Sequence, residues 1–223
     1  MEAPLWALIS TPAGISFLTM AERACISRSS DSVRMFDSGL MEFLSRVHPA
    51  TPLVLYVPLI AGSLYLALQR VGLPILSVAE LFALGLAIWT LLEYLIHRYA
   101  FHYEPTSRIG TQFHFVVHGV HHDYPNDAKR LVMPPAVSIP LAIIFYGLFW
   151  LISGHTALAV WAGFAAGYVC YDSIHYAIHH FPMKAGILNR LKQHHLRHHF
   201  HDDHSGYGVS SPLWDYIFRT NRR

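Results

Sequence analysis

Apolar residues form four long stretches along the chain. The stretches are Leu53–Leu68, Ile75–Ile96, Leu131–Ser153 and Thr156–Ile174. A helix of about 20 apolar residues is enough to cross the hydrocarbon core of a bilayer. A buried core helix is the alternative for any single stretch, but the remaining residues are too few to cover four of them. The pattern predicts an all-α integral membrane protein with four transmembrane helices.

The connections between the stretches are short. About six residues separate the first two stretches, and Gly154–His155 separates the last two. Short connections make consecutive helices antiparallel neighbours, so we predict two helical hairpins, over residues 53–96 and 131–174. The remaining segments then lie together on one side of the membrane: residues 1–52, 97–130 and 175–223.

Basic residues identify that side. Fifteen of the 16 Lys and Arg residues fall in those three segments, and only Arg70 falls on the opposite side. Loops that stay in the cytoplasm carry the excess of Lys and Arg. We therefore predict that the large polar segments lie in the cytoplasm. The membrane would be that of the endoplasmic reticulum in a eukaryote, or the cytoplasmic membrane in a bacterium.

The amino-terminal segment contains a weaker apolar stretch, residues 5–18, which is short and includes Pro12 and Gly14. A signal peptide begins with basic residues, and the first three residues include none. We interpret residues 1–52 as a cytoplasmic or interfacial segment, and residues 53–223 as one domain.

Composition excludes several classes of protein. Only 13% of the residues are charged, against about 25% in an average soluble domain. A disordered chain combines low hydrophobicity with high net charge, and a net charge of +2 is too small for a nucleic-acid surface. Two cysteines, Cys25 and Cys170, cannot build a disulfide scaffold or a cysteine zinc finger.

Histidine is unusually abundant, with 17 residues. Ten of them form four clusters, which lie at the ends of predicted crossings or in the polar segments that follow. The clusters are His97-x4-His102, His118-x2-His121-His122, His175-x3-His179 and His195-x2-His198-His199.

Helical spacing predicts which histidines can converge. Positions i, i+3 and i+4 share one face of a helix, so the second and fourth clusters can each point in one direction, as can His175 and His179. His97 and His102 lie about 140° apart on an ideal helix. That pair needs a helix end, a bend or a local bulge near residues 98–101 to converge.

These clusters predict a metal centre. Neutral imidazole suits iron, zinc, copper and nickel, and a shell of about four to six donors fills the coordination of one such ion. Ten imidazoles divided between two ions give about five each, so the clusters predict a dinuclear all-histidine site. His114, one turn before His118, is the candidate for an eleventh member. A metal-storage tract is the alternative interpretation.

Acidic residues near the clusters are candidates for orienting the ligands. Carboxylates commonly accept the free ring N–H of a metal-binding histidine. By spacing, the candidates for this supporting role are Glu93, Asp123 and Asp172, and Asp215 near the end of the chain could serve in the same way.

The chain resembles the fatty acid hydroxylase superfamily of integral-membrane di-metal oxygenases over about residues 90–220. Within it, the chain is similar to the fatty acid 2-hydroxylases that act on sphingolipid acyl chains. The resemblance rests on the four histidine clusters, on Arg130-Leu-Val-Met-Pro-Pro135 and on the tail Gly206-Tyr-Gly-Val-Ser-Ser-Pro-Leu-Trp-Asp215.

That resemblance implies a non-haem centre of two iron ions, with the ten clustered histidines as ligands. It implies that dioxygen and two electrons are used to hydroxylate carbon 2 of a fatty acyl chain, free or in ceramide. Zinc can replace iron in purified protein, but zinc has no redox chemistry and such protein should be inert.

Many eukaryotic relatives in this superfamily carry an amino-terminal cytochrome b5 domain with a His-Pro-Gly-Gly signature. Here His48-Pro49-Ala50 contains the one His-Pro dipeptide, and we expect no such domain. Electrons would then come from a separate donor such as cytochrome b5 or ferredoxin.

Two other functions stay open at this point. One is a different oxygenase of the same superfamily, such as a sterol or carotenoid hydroxylase or a desaturase. The other is a histidine-rich metal transporter, although transporters place their ligands near the bilayer midplane and these clusters lie at or beyond helix ends.

Overall fold

The computed structural model describes residues 26–27 and 29–221. Within that part of the chain the regular structure is helical, with no strand, which confirms the all-α class. The predicted interfacial stretch 5–18 and Cys25 lie outside the described residues. The α-helices, in chain order, are α1 Gly39–Ser45, α2 Thr51–Gln69, α3 Ile75–Ile96, α4 Arg108–His114, α5 Val120–Asp123, α6 Pro135–Ser153, α7 Ala157–His180, α8 Gly186–Phe200 and α9 Leu213–Ile217.

The long helices follow the apolar stretches, with two differences. Helix α6 begins at Pro135, four residues later than predicted, because the α conformation is disfavoured for a residue that precedes a proline. Helix α7 continues to His180, six residues beyond its apolar stretch. The continuation carries His175 and His179 on the same rigid helix that packs inside the bundle.

Among the described residues, three helical stretches are long and apolar enough to cross a bilayer: Thr51–Gln69, Ile75–Phe101 and Pro135–His180. The third comprises α6, a short turn and α7. Gly154 interrupts it with a φ of 58°, which favours glycine. The indole Nε1 of Trp161 donates to the backbone oxygen of Ala142 at 3.0 Å, so the two halves fold back on each other. Four separate crossings and their cytoplasmic side stay predictions.

Helix α7 is central and packs against α2, α3 and α6. Glycines allow its close approach to α3. A Cβ atom at Gly163 would lie 1.9 Å from the backbone oxygen of Phe82, and one at Gly85 would lie 2.0 Å from that of Val160. Small residues at such contacts are typical of helices that pack in membranes. This packing sets the relative position of the histidines that follow α3 and those on α7.

The segment before α1 packs onto the region that carries the second histidine cluster. Met35 lies in a buried cluster with Val120. Arg130, from the proline-containing motif, donates to the Glu42 carboxylate and to the backbone oxygen of Val33. The motif arginine therefore ties the amino-terminal segment to the body of the protein.

Candidate metal centre

The ten clustered histidines converge into two groups of five, and within each group the potential ligand atoms all lie within 4.8 Å of one another. Group A consists of His97, His102, His118, His122 and His198. Group B consists of His121, His175, His179, His195 and His199. The groups adjoin, because the rings of His122 and His199 stack with their centroids 4.2 Å apart.

Each His-x2-His-His cluster contributes to both groups. His118 and His122 belong to group A, whereas His121 belongs to group B. The fourth cluster does the reverse: His195 and His199 are in group B and His198 is in group A. The sequence predicts one shared face for each trio, but positions i+3 and i+4 differ by about 100° around a helix. One helix can therefore serve two neighbouring groups.

Of the alternatives predicted near residues 98–101, the structure contains the local bulge. Residues His97–Phe101 form a π-helical turn, in which the His102 N–H donates to the His97 backbone oxygen at 3.2 Å. The extra residue in the turn brings the two Nε2 atoms to 3.3 Å from each other. A second π-helical turn, Phe115–Gly119, contains His118 and directly precedes α5. This turn was not predicted.

The Nε2 atoms within each group are close. In group A, those of His118 and His122 lie 2.9 Å apart, and those of His102 and His198 also lie 2.9 Å apart. In group B, the distance from His195 to His199 is 2.9 Å. Zinc–nitrogen bonds of about 2.0–2.1 Å place neighbouring ligand atoms about 3 Å apart. The spacing fits nitrogen donors around one cation in each group.

Hydrogen bonding among the histidines cannot explain this convergence. A neutral imidazole has one N–H and one lone pair, and a single Nε2 atom cannot donate to several neighbours. In addition, the Nε2 atoms of His121 and His175 are buried and have no hydrogen-bond partner within the described part of the chain. Buried polar atoms are nearly always paired, so these donors fit a bound metal.

Burial keeps the histidines neutral. Burial first, and then the neighbouring imidazoles, lower the pKa values of His118, His122 and His195 well below the ordinary range. The same causes, in the same order, lower the pKa values of His121 and His199. Neutral imidazole is the form that binds metal, so the site is ready to accept a cation at neutral pH.

Backbone carbonyl groups of the tail hold two group A rings. His97 Nδ1 donates to the Tyr207 oxygen at 2.5 Å, and His198 Nδ1 donates to the Ser205 oxygen at 2.7 Å. A carbonyl oxygen can only accept, so the proton is on Nδ1 in both rings. The lone pair is therefore on Nε2, which points into the group.

The predicted supporting acids Glu93 and Asp215 hold this tail. Glu93 accepts from the backbone N–H groups of Val209 and Ser210, at 2.8 Å each, and from the Ser210 hydroxyl. Asp215 accepts from the backbone N–H groups of Tyr207 and Gly208 at 2.9 and 2.8 Å. The carboxylates thus act on backbone that in turn contacts the histidines.

The other supporting candidates lie at different places. Asp172 is buried on α7, near Tyr168. The backbone oxygen of Asp123 accepts from the Ser27 N–H at 2.9 Å. His114, on α4, is half-buried and is not a member of either group of nitrogens.

Asp215 also accepts from His194, which directly precedes the fourth cluster, at 3.0 Å. Sequence reasoning missed the carbonyl oxygens of Ser205 and Tyr207. Every residue type has a backbone carbonyl, so residue identity carries no direct signal for this role. The available signal was the pair of tail glycines. Gly206 has a φ of 73°, and a Cβ at Gly208 would lie 2.1 Å from the Ser211 oxygen.

The fold and the site together define a helical membrane protein with a histidine cluster of the kind that binds metal ions. Residues 82–220 match the family described as fatty acid hydroxylase. The chain belongs to the fatty acid hydroxylase family.

Three known proteins indicate the extent of the similarity. The dihydroceramide fatty acyl 2-hydroxylase FAH2 of Arabidopsis thaliana is 39% identical over 189 residues, which cover 84% of this chain and 79% of that protein. The fatty acid 2-hydroxylase of Rattus norvegicus is 38% identical over 209 residues, which cover 84% of this chain and 56% of that protein. The chain thus spans little more than half of the rat protein.

A solved structure shows the same fold. It is that of full-length Scs7p, with only the hydroxylase domain visible, and it matches with a TM-score of 0.78 and 36% identity. The match covers 83% of this chain and 70% of that one.

Proposed function

We propose that this protein is a membrane di-iron oxygenase that hydroxylates carbon 2 of fatty acyl chains, with ceramide and related sphingolipids as its substrate class. The observation that carries the proposal is the convergence of ten imidazoles into two adjoining groups of five nitrogen donors. Relatives named for fatty acyl 2-hydroxylation support the choice of reaction.

The ten histidines would hold two iron ions, one in each group. Bound iron would supply the activation of dioxygen, which no amino-acid side chain can provide. In the overall reaction, one oxygen atom of dioxygen enters a C–H bond at carbon 2. The other leaves as water, and two electrons and two protons are consumed. Zinc in purified protein would occupy the same nitrogen donors without supporting the reaction.

The protein's own contribution is to position the ligating rings and to exclude water from the site. Burial keeps the ligating rings neutral, and the tail carbonyls fix the rings of His97 and His198. The rings of His195 and His198 are almost completely buried, so water reaches these parts of the site only with difficulty.

An apolar surface lies beside the site and favours a lipid as the substrate. Ile109 and Phe113 on α4 are strongly exposed, and Val117, directly before the buried His118, is partly exposed. Exposed apolar patches of this kind mark membrane or ligand contacts. We propose that the acyl chain approaches from the bilayer along this side, while its polar end faces the histidine-rich region.

We propose that the protein crosses the membrane four times with its site on the cytoplasmic side, because the basic segments are expected on that side. Two electrons would come from a donor such as cytochrome b5 or ferredoxin. Protein residues and metal would remain unchanged over a complete cycle.

Expression in a host that makes no 2-hydroxylated lipids tests the reaction. Lipids are extracted and hydrolysed, and the fatty acids are analysed by mass spectrometry. We expect 2-hydroxy fatty acids with the wild-type protein. His179→Ala removes a group B donor and should abolish the product, whereas His201→Ala, an exposed histidine outside both groups, should preserve it.

The same experiment separates the competing functions. Hydroxylated sterols or carotenoids, or new double bonds in the acyl chains, would assign a different oxygenase reaction to the site. Product formation that survives His179→Ala would contradict the assignment of the ligands.

A further inference from the structure

We propose that the two groups hold their metal ions unequally, group A more tightly than group B, and that Asp215 is a positioning residue that contributes to the difference. The inference rests on the metal centre proposed above. It follows from how the second ring nitrogen of each histidine, Nδ1, is held.

In group A, two of the five rings are anchored through Nδ1. His97 donates to the Tyr207 oxygen and His198 donates to the Ser205 oxygen, at 2.5 and 2.7 Å. Each bond fixes the proton on Nδ1 and fixes the orientation of the ring. The Nε2 lone pairs of both rings are therefore directed into the group before any metal binds.

Three of the five group B rings lack this support. The Nδ1 atoms of His175, His195 and His199 are buried, and none has a hydrogen-bond partner in residues 26–27 and 29–221. These rings have no acceptor there to select a tautomer or an orientation. Hydrogen-bond partners of ligating histidines typically change metal affinity by 10- to 100-fold, so the unanchored group should bind its ion more weakly.

Asp215 acts on group A through one peptide unit. The Gly208 N–H and the Tyr207 carbonyl belong to the same planar peptide group and, in its trans form, point in opposite directions. Asp215 Oδ2 accepts from the N–H at 2.8 Å, and the carbonyl accepts from His97 at 2.5 Å. The carboxylate thereby orients the carbonyl and, by polarising the peptide, strengthens it as an acceptor.

Asp215 is itself held firmly. It is completely buried, and it also accepts from His194 Nε2 at 3.0 Å and from the Thr220 hydroxyl at 2.8 Å. It is not a member of either group of nitrogens. Its hydrogen-bonded connection to group A runs through the Tyr207–Gly208 peptide.

The release of zinc from the purified full chain, kept in lipid nanodiscs, tests the inference. The protein is stripped of metal, reloaded with zinc and mixed with a chromogenic chelator. We expect two phases of release that differ in rate by about 10- to 100-fold. His198→Ala should remove the slow phase, and His179→Ala should remove the fast phase.

Asp215→Asn should accelerate the slow phase about 10-fold and leave the fast phase unchanged. Asp127→Asn is the matched control, because Asp127 is a buried aspartate that also accepts two backbone N–H groups, those of Val33 and Lys129. It should lower the melting temperature without changing the ratio of the two rates.

Three results would overturn the inference: equal release rates for both ions in the wild-type protein, loss of the fast phase in His198→Ala, or equal acceleration of both phases in Asp215→Asn. The first two do not depend on whether Asp215→Asn folds. Failure to bind any zinc would instead refute the metal centre itself.

Discussion

The Nε2 atoms of His118 and His122 lie 2.9 Å apart. His121, which lies between them in the sequence, belongs to the other group. Because these two groups adjoin, a one-residue step along a single helical turn moves a side chain from one candidate metal position to the other. This relationship makes the site testable with adjacent substitutions.

His121→Ala and His122→Ala should each remove one metal ion, but not the same one. Each single variant is expected to retain about half of the wild-type metal content, which elemental mass spectrometry measures. The pair His121→Ala/His175→Ala alters one group and should also retain half. The pair His121→Ala/His122→Ala alters both groups and should retain almost none. Equal metal contents in the two pairs would show that the nitrogens do not divide as described.

Gly163→Ala should disturb the site from inside the bundle. The added methyl group would lie 1.9 Å from the backbone oxygen of Phe82, so α3 and α7 would have to separate. Overpacking of this kind costs about 1–3 kcal/mol of stability. The displacement should also lower product formation, because α3 leads to His97 and α7 carries His175.

Gly147→Ala is the matched control for that substitution. A Cβ at Gly147 has nothing within 4 Å among the described residues. Thermal unfolding and product formation in this variant should remain close to those of the wild type. A similar loss in both variants would mean that the contact with Phe82 is not responsible.

Arg130→Met should disrupt the contact between the amino-terminal segment and the body of the protein. Burial alone would raise the pKa of Glu42, but hydrogen bonds from Arg130 and from the backbone of Met35 and Phe36 reverse the effect and lower it. Removal of one partner of a buried ion pair costs about 3–5 kcal/mol. Denaturant unfolding measures the loss.

Lys129→Met is the neighbouring control, since that residue is exposed and its substitution should change stability by less than about 0.5 kcal/mol. In a double variant with Glu42→Gln, the loss caused by Arg130→Met should shrink. Strict additivity of the two substitutions would argue against the pairing.

The metal-free protein should lose stability as the medium is acidified. Burial, followed by neighbouring imidazoles, lowers the pKa values of His118, His121 and His199 in the folded state, whereas a histidine in the unfolded chain titrates near about 6.5. Below that pH the unfolded chain binds protons that the folded chain does not. Stability should therefore be constant above about pH 7 and fall from about pH 6.5 downward.

Unfolding of metal-stripped protein between pH 8 and pH 5 measures this dependence. Glu42 does not affect this dependence. Its pKa is lowered in the folded protein, so its contribution to stability is lost only below the ordinary pKa of a glutamate. A stability that stays flat or rises toward pH 5 would contradict the burial of neutral histidines.

Much of the helical framework was accessible from the pattern of the sequence. The apolar stretch 75–96 coincides with α3, and Leu53–Leu68 differs from α2 by two residues at its start and one at its end. The unusual spacing of His97 and His102 also predicted an irregularity in the helix between them, which the structure shows to be a π-helical turn. These features depend on local periodicity, which a chain carries in the order of its residues.

The support of the ligands was not accessible in the same way. Sequence reasoning selected Glu93 and Asp215 as partners of metal-binding histidines, but both carboxylates bind the tail, and Asp215 accepts in addition from His194, which lies outside both groups. Of the clustered histidines, His97 and His198 donate to the carbonyls of Tyr207 and Ser205. Contacts between residues 110 positions apart, such as His97 and Tyr207, depend on the way distant elements pack.

By itself, the sequence determined the helical class, the apolar helices and the set of histidines that could bind metal, because periodicity and side-chain chemistry are local properties. Only the tertiary structure decided how those histidines divide into two groups and which backbone atoms hold them. That division depends on the direction of each side chain around its helix and on the close contact of α3 with α7. Neither is specified until the separate elements are brought together.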